Sequence, residues 1–210
     1  MQESMILKTS TSGNEVHSSV LAPVAPLLPR VVLLVAGASL TAASPFLLGF
    51  LKDKESSGKT ALTVYADKLA NGLPTVCDGL TRHVTSTPIV VGERWTEEQC
   101  RTETQVAVIN VQKQLAKCFK RAPNQMVFDM ATSHAWNFGY LKTCNSLAMA
   151  AWNQGQWELG CRRLAMSDAG KPVWSYTCST PPVGPRQCVF IQGLADRRNE
   201  EMLNCTEGAK

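Results

Sequence analysis

From Trp95 to Cys118 the chain alternates apolar and polar positions with a helical period. Val108, Val111, Leu115 and Cys118 fall on one face. Thr96 opens the stretch with Gln99 three residues on, the spacing of a capping box, and Trp95 and Cys100 stand where a hydrophobic staple would. The pattern predicts a helix from Thr96 to about Cys118. Shorter stretches predict helices over Met126–Trp136, ended by Asn137-Phe138-Gly139, and over Ser146–Trp152, closed by Asn153-Gln154-Gly155. Two more are predicted over Gln156–Met166 and Gly193–Asn204. Ahead of the long helix the period shortens. Within Ala61–Thr81, Val64-Tyr65-Ala66 is followed by the turn signal Asn71-Gly72 and then by Leu73 to Cys77, a short β region. Pro88-Ile89-Val90-Val91-Gly92 is a second β-branched patch, and Pro181-Pro182-Val183-Gly184-Pro185 reads as a loop. A small β region followed by helices gives the α+β class.

The N-terminal quarter has a different texture. Residues 1–30 are polar and then Pro-rich, and cannot build a packed core; they read as a mobile tail. Val31 to Leu51 carries no charge and lies between Arg30 and the cluster Lys52-Asp53-Lys54-Glu55. About 20 apolar residues span a bilayer as helix, so the run is long enough for one weakly hydrophobic N-terminal helix. Many of its residues are small or weakly polar, and Pro45 interrupts it. Three readings stand: a membrane anchor, a signal peptide cut near Thr41-Ala42-Ala43, or a buried core helix. The division that follows is a tail over 1–30, an anchor or signal segment over 31–51, and a folded domain over 52–210.

Composition sharpens this in two respects. The chain of 210 residues is 44% hydrophobic and 18% charged, which excludes an intrinsically disordered protein. Net charge is +4, too mild to imply nucleic acid. All eight cysteines, Cys77, Cys100, Cys118, Cys144, Cys161, Cys178, Cys188 and Cys205, follow the uncharged run. They form no CxxC pair and no Cys/His cluster, so no metal site is expected and a disulfide framework is. An export segment before a cysteine-rich domain fits an oxidising compartment, the periplasm in a Gram-negative host. Helix and loop placement suggests Cys178–Cys188 across the Pro-rich loop and Cys144–Cys161 between two short helices.

Several motifs, in order along 52–210, carry a family resemblance. Tyr65-Ala66-Asp67 with Thr75-Val76-Cys77-Asp78-Gly79-Leu80-Thr81 resembles the catalytic hairpin of phage-type lysozymes, glycoside hydrolase family 24. Trp95 to Cys100 is similar to the start of that family's long helix. Phe128 to Gly139, Ala151 to Gly155 and Gly193 to Glu201 resemble its later helices. The uncharged run resembles the signal-anchor-release helix that many such endolysins carry.

The resemblance implies an α+β domain with a small β lobe, a larger helical lobe and a cleft between them. It implies hydrolysis of the β-1,4 bond between N-acetylmuramic acid and N-acetylglucosamine in peptidoglycan, for host cell lysis, with no cofactor. By the family's pattern Glu55 is the general acid, Asp67 the base toward water or the electrostatic partner of the oxocarbenium, and Thr75 the positioner of water or substrate. Asp53 is the alternative to Glu55, because the Glu55–Asp67 interval is longer than the family's. Tyr65, Trp136 and Asn137 are candidate substrate contacts. The resemblance also implies Cys77–Cys100, which leaves Cys118–Cys205 by elimination. His134 reads as a core or cleft histidine, and Arg197-Arg198 as structural partners of nearby acids. The partners implied are peptidoglycan glycan strands, the host export machinery, and the inner membrane through 31–51 before release. Nucleic acid is not among them, and the chain is expected to be a monomer. Rival readings are a non-catalytic peptidoglycan-binding module, a lytic transglycosylase on a related fold, and a structural or inhibitor protein.

Overall fold

The computed structural model describes residues 31–56, 60–68, 71–179 and 185–210. The tail over 1–30 and the centre of the Pro-rich loop lie outside them.

The uncharged run is not one helix. Val32–Val35 (β1) and Ala38–Thr41 (β2) form an antiparallel hairpin with Val35 opposite Ala38. Its two turn residues, Ala36 and Gly37, have φ of 47° and 95°, the left-handed pair that a two-residue type I′ turn requires. Gly37 supplies that geometry without a Cβ penalty. Pro45 does not interrupt a helix but begins one. Ser44 caps Pro45–Ser56 (α1) by accepting from the Leu47 amide at 3.1 Å, and proline suits the first helical position because its missing N–H has no partner to lose there. Val35, Leu40, Leu47 and Leu51 are core residues. Among the described residues, Val31–Leu51 is therefore part of the packed domain rather than a segment ahead of it. Among the described residues no helix is long and apolar enough to cross a membrane.

Polar side chains from the helices pin this segment in place. Gln125 bonds both the Thr41 amide at 2.8 Å and the Thr41 carbonyl at 3.0 Å. Gln112 accepts from the Ala43 amide at 2.7 Å, and the Ser44 hydroxyl donates to Asp129 at 2.6 Å. Gln125 also donates to the other Asp129 oxygen at 2.9 Å. Burial pushes the Asp129 carboxyl up to about 6, against the pull of the Ser44 and Gln125 hydrogen bonds.

The β lobe comprises Ala61–Asp67 (β3), Leu73–Cys77 (β4) and Leu80–Thr81 (β5), in the order β3-β4-β5. Pro88–Gly92 forms no strand. Val90 and Val91 are exposed, and residues 92–95 instead bond the edge of β3 through Gly92 to Val64, Val64 to Glu93 and Trp95 to Leu62. Glu97–Ala116 (α2) follows, with the Thr96/Gln99 capping box formed as the spacing predicts.

The helical lobe contains Gln125–Phe138 (α3), Tyr140–Cys144 (α4), Leu147–Asn153 (α5), Trp157–Arg162 (α6) and Gln192–Ala209 (α7). Before α7 a second hairpin, Tyr176–Ser179 (β6) with Gln187–Phe190 (β7), flanks the Pro-rich loop. The predicted helix over Gln156–Met166 stops early, and Val173 bonds back to Ala165. The main core gathers Leu115, Phe128, Met130, Met149, Trp152 and Leu164. A smaller core holds Val64, Val76, Leu80 and Trp95 in the β lobe. Trp136 packs against that β-lobe core and against the cluster of Leu47, Leu51 and Val108 between α1 and α2.

All eight cysteines are paired. Cys77–Cys100 and Cys178–Cys188 form as expected. The other two expected pairings do not. Cys118 bonds Cys144, and Cys161 bonds Cys205. The physical reason is that α6 packs against α7, which brings Cys161 to the buried Cys205, while the end of α2 lies beside α4.

Candidate active site

Glu55 stands in the last turn of α1, one helical turn after the buried Leu51, so the packing of α1 aims its carboxyl inward. One carboxyl oxygen accepts a hydrogen bond from the Arg197 guanidinium of α7. The other faces Gly79 in the β4–β5 turn, where a Cβ would lie 3.4 Å from it and 3.5 Å from Trp136 Nε1. Glu55, Gly79, Trp136 and Arg197 thus meet at the junction of the lobes.

Asp67 and Thr75 sit on neighbouring strands. Asp67 ends β3 opposite Leu73, and Tyr65 is opposite Thr75. Thr75 is buried on the central strand and donates to the Leu73 carbonyl at 3.0 Å, which leaves its oxygen free to accept. Tyr65 is 44% exposed. Burial first, then the charges of Asp67 and Glu55, push its phenol above the ordinary value. The ring therefore feels both carboxylates. Asn137 is exposed at the end of α3 and accepts from Arg198 at 3.5 Å. Glu55 and Trp136 thus meet at Gly79, and Tyr65 lies near Glu55 and Asp67 with Thr75 opposite it on β4, whereas the contact of Asn137 is with Arg198. Asp53 does not join them: its side chain is 66% exposed and pairs with Lys54 at 2.9 Å.

Beneath Glu55 lies a buried charge network. Arg197 reaches Glu201 at 3.2 Å, Arg198 reaches the same oxygen at 2.6 Å, and the Ser133 hydroxyl donates to it at 2.6 Å. Burial pushes the Glu201 carboxyl up, opposed by Arg198 and Arg197. Burial also pushes Arg198 down, to about 10. Arg197 and Arg198 are thus partners of acids, as expected, but their reach to Glu55 was not legible. The two residues are 142 positions apart, and only the RR-x-x-E spacing hinted at an internal pair. His134 is a core histidine. Its Nδ1 meets the Thr143 hydroxyl at 2.9 Å, its ring touches Phe138 and Trp174, and burial with the Arg198 and Arg197 charges holds it neutral. Among the described residues no group of three or more His, Cys, Asp or Glu side chains could hold a metal ion.

The sequence pattern of the family described as phage lysozyme matches residues 55–201, from the candidate acid to the buried glutamate of α7. The chain belongs to the phage lysozyme family. Solved structures agree at the level of fold. The muramidase domain of SpmX from Asticaccaulis excentricus superposes with a TM-score of 0.59 at 18% identity, covering 77% of this chain and 95% of that one. An endolysin from Escherichia coli O157:H7 phage FAHEc1 gives 0.59 at 22%, covering 77% and 91%. The active form of the P1 phage endolysin Lyz gives 0.57 at 18%, covering 80% and 86%. No curated protein matches the chain by sequence. Membership makes this a lysozyme-type glycoside hydrolase that acts on peptidoglycan, with the lysozyme-like α+β fold.

Proposed function

We propose that the chain hydrolyses the β-1,4 bond between N-acetylmuramic acid and N-acetylglucosamine in the periplasm of an infected host, causing lysis. The observation that carries this reading is the placement of Glu55. One of its oxygens is held by Arg197, the other is turned to Gly79, and the strands bearing Asp67 and Thr75 lie in the adjoining lobe. Glu55 delivers the proton to the leaving oxygen. Asp67 guides water or balances the oxocarbenium, and Thr75 accepts a hydrogen bond from that water or from substrate. Tyr65 and Trp136 line the sugar path, with Asn137 at its edge. The test is turbidity loss of permeabilised Gram-negative cells, with mass spectrometry of the released muropeptides. Glu55→Gln should lower the rate roughly 10²–10⁴-fold, the range of a lost general acid, while the parent releases reducing ends. Anhydro products would replace this reading with a transglycosylase, and binding without release would replace it with a wall-binding module.

The same proposal covers export. Residues 31–51 hold the newly exported chain, a monomer, at the inner membrane. Val35, Leu40, Leu47 and Leu51 cannot occupy both a bilayer and the core, so the membrane-held form lacks α1 in place and Glu55 in the cleft. Fractionated membranes carrying the chain should therefore be inactive until it is released. Full activity in the membrane fraction would refute this tethered, silent state.

A further inference from the structure

The β4–β5 turn, closed by the pair Val76–Leu80, runs through Cys77, the last residue of β4, and the two residues Asp78-Gly79. Two of the three are left-handed: Gly79 at φ 83° and Cys77 at φ 57°. Glycine takes that conformation freely, but cysteine does not. Cys77 is nonetheless buried at 3% exposure and bonded to Cys100, itself 2% exposed, in the first turns of α2. The sheet holds Cys77 on one side through its pairing with Ala61 of β3, whereas β5 beyond Gly79 is only two residues long. Asp78 of the turn and Cys100 also border an open groove of about 580 Å³. Gly79 faces the Glu55 carboxyl and the Trp136 indole.

We infer that Cys77 and Cys100 are positioning residues for the reaction: their disulfide holds the Cys77–Gly79 turn against the Glu55 carboxyl. This rests on Glu55 being the acid. The bond ties a conformation that the local sequence disfavours to the capped end of the longest early helix. The gap between Gly79 and the carboxyl is then fixed by α2 as well as by the sheet. Without the bond Cys77 can leave its left-handed conformation, the turn shifts, and the Glu55 carboxyl loses its wall. The Cys178–Cys188 bond joins β6 to β7, neither of which carries a residue placed beside Glu55, so it serves as the control.

The test compares the parent, Cys77→Gly/Cys100→Ala and Cys178→Ser/Cys188→Ser on solubilised, uncross-linked peptidoglycan strands, at a temperature where circular dichroism shows each fully folded. Glycine at 77 keeps the left-handed residue while removing the bond. In the first variant kcat should fall about tenfold to 100-fold, the cost of a small misplacement of a reacting group, with KM changed less than about twofold, as a loss confined to the transition state requires. The second variant should match the parent. A folded Cys77→Gly/Cys100→Ala with the parent's kcat overturns the inference. If that variant does not fold, the parent is reduced by graded thiol, alkylated and mapped. Rate falling in step with labelling of Cys77 and Cys100 supports the inference, and rate surviving their full labelling overturns it. A parent with no activity removes the underlying reading and this inference with it. An active parent matched by the variant removes this one alone.

Discussion

In the helical lobe, Phe128, Met130, Met149 and Trp152 pack with no exposure beside a fully buried Arg198–Glu201 pair. In the β lobe, the strands contribute only Val64, Val76, Cys77 and Leu80 to a small core, shared with Trp95, Cys100 and Ala107. Large apolar side chains close the first lobe on several sides at once. The second depends on a disulfide, a capped helix and two left-handed turn residues. The proposed acid, Glu55, is supplied by α1 and held by α7 of the helical lobe, whereas Asp67 and Thr75 belong to the β lobe. Damage to the packed core of the first lobe should therefore appear as lost stability, and damage to the β-lobe turn facing Glu55 as lost rate.

The largest expected effect is in the helical lobe. Glu201→Ala strands the buried Arg198 and frees Ser133, which should cost about 3–5 kcal/mol, the usual range for breaking a buried pair from one side. Urea unfolding measures it, and a loss below about 1 kcal/mol would mean that the network is not the keystone of α3 and α7.

Next comes the polar latch on the N-terminal segment. The folded Asp129 carboxyl titrates at about 6, above the ordinary 3.8, so the native state binds the proton more tightly than the unfolded chain. Its contribution is fully present below the ordinary value and is lost as pH rises through about 6. A shift of this size is worth about 3 kcal/mol. Relative to Asp129→Asn, which does not titrate, the parent should lose about that much stability between about pH 3 and pH 7. Parallel unfolding midpoints for the two proteins across that range would contradict it.

Two glycines sharpen the contrast between lobes. A Cβ at Gly160 would meet Trp152 Cδ1 at 2.3 Å, inside the helical core. Gly160→Ala should cost about 1–3 kcal/mol by overpacking, with the folded fraction keeping its rate. Gly79→Ala should instead lower the rate per folded molecule, because an alanine is strained at φ 83° and the turn facing the Glu55 carboxyl shifts to relieve it. If both variants lost only stability, the division between the lobes would fail. The smallest effect is Thr96→Ala, which removes the α2 cap and should lower stability by about 1 kcal/mol, measured by thermal melting.

How much of this was legible depended on how local each cause is. The α2 helix was readable to within a residue or two, because its cap and its apolar period lie in adjacent residues. The β3–β4 hairpin was readable from Asn71-Gly72 and the alternation around it. The run Val31–Leu51 was misread as a single helix because both faces of its hairpin are apolar. Val32 and Leu34 are 58% and 73% exposed, so the strand shows no hydrophobic alternation. The signals that were present, Ala36-Gly37 for a turn and Ser44-Pro45 for a helix start, were outweighed by the absence of charge. Cys144 and Cys161 seemed natural partners because their helices are close in sequence, but helix packing sent each to a more distant element.

The sequence by itself determined the class of fold and the long capped helix, since propensity, caps and turns act over a few residues, and Glu55, Asp67 and Thr75 were candidates through the resemblance to phage-type lysozymes. Only the tertiary structure decided that Val31–Leu51 belongs to the core. It alone also decided that Arg197 reaches Glu55 and that a left-handed Cys77 stands in the turn facing Glu55. Those contacts join residues tens to more than a hundred positions apart, and their energy exists only once the chain has packed.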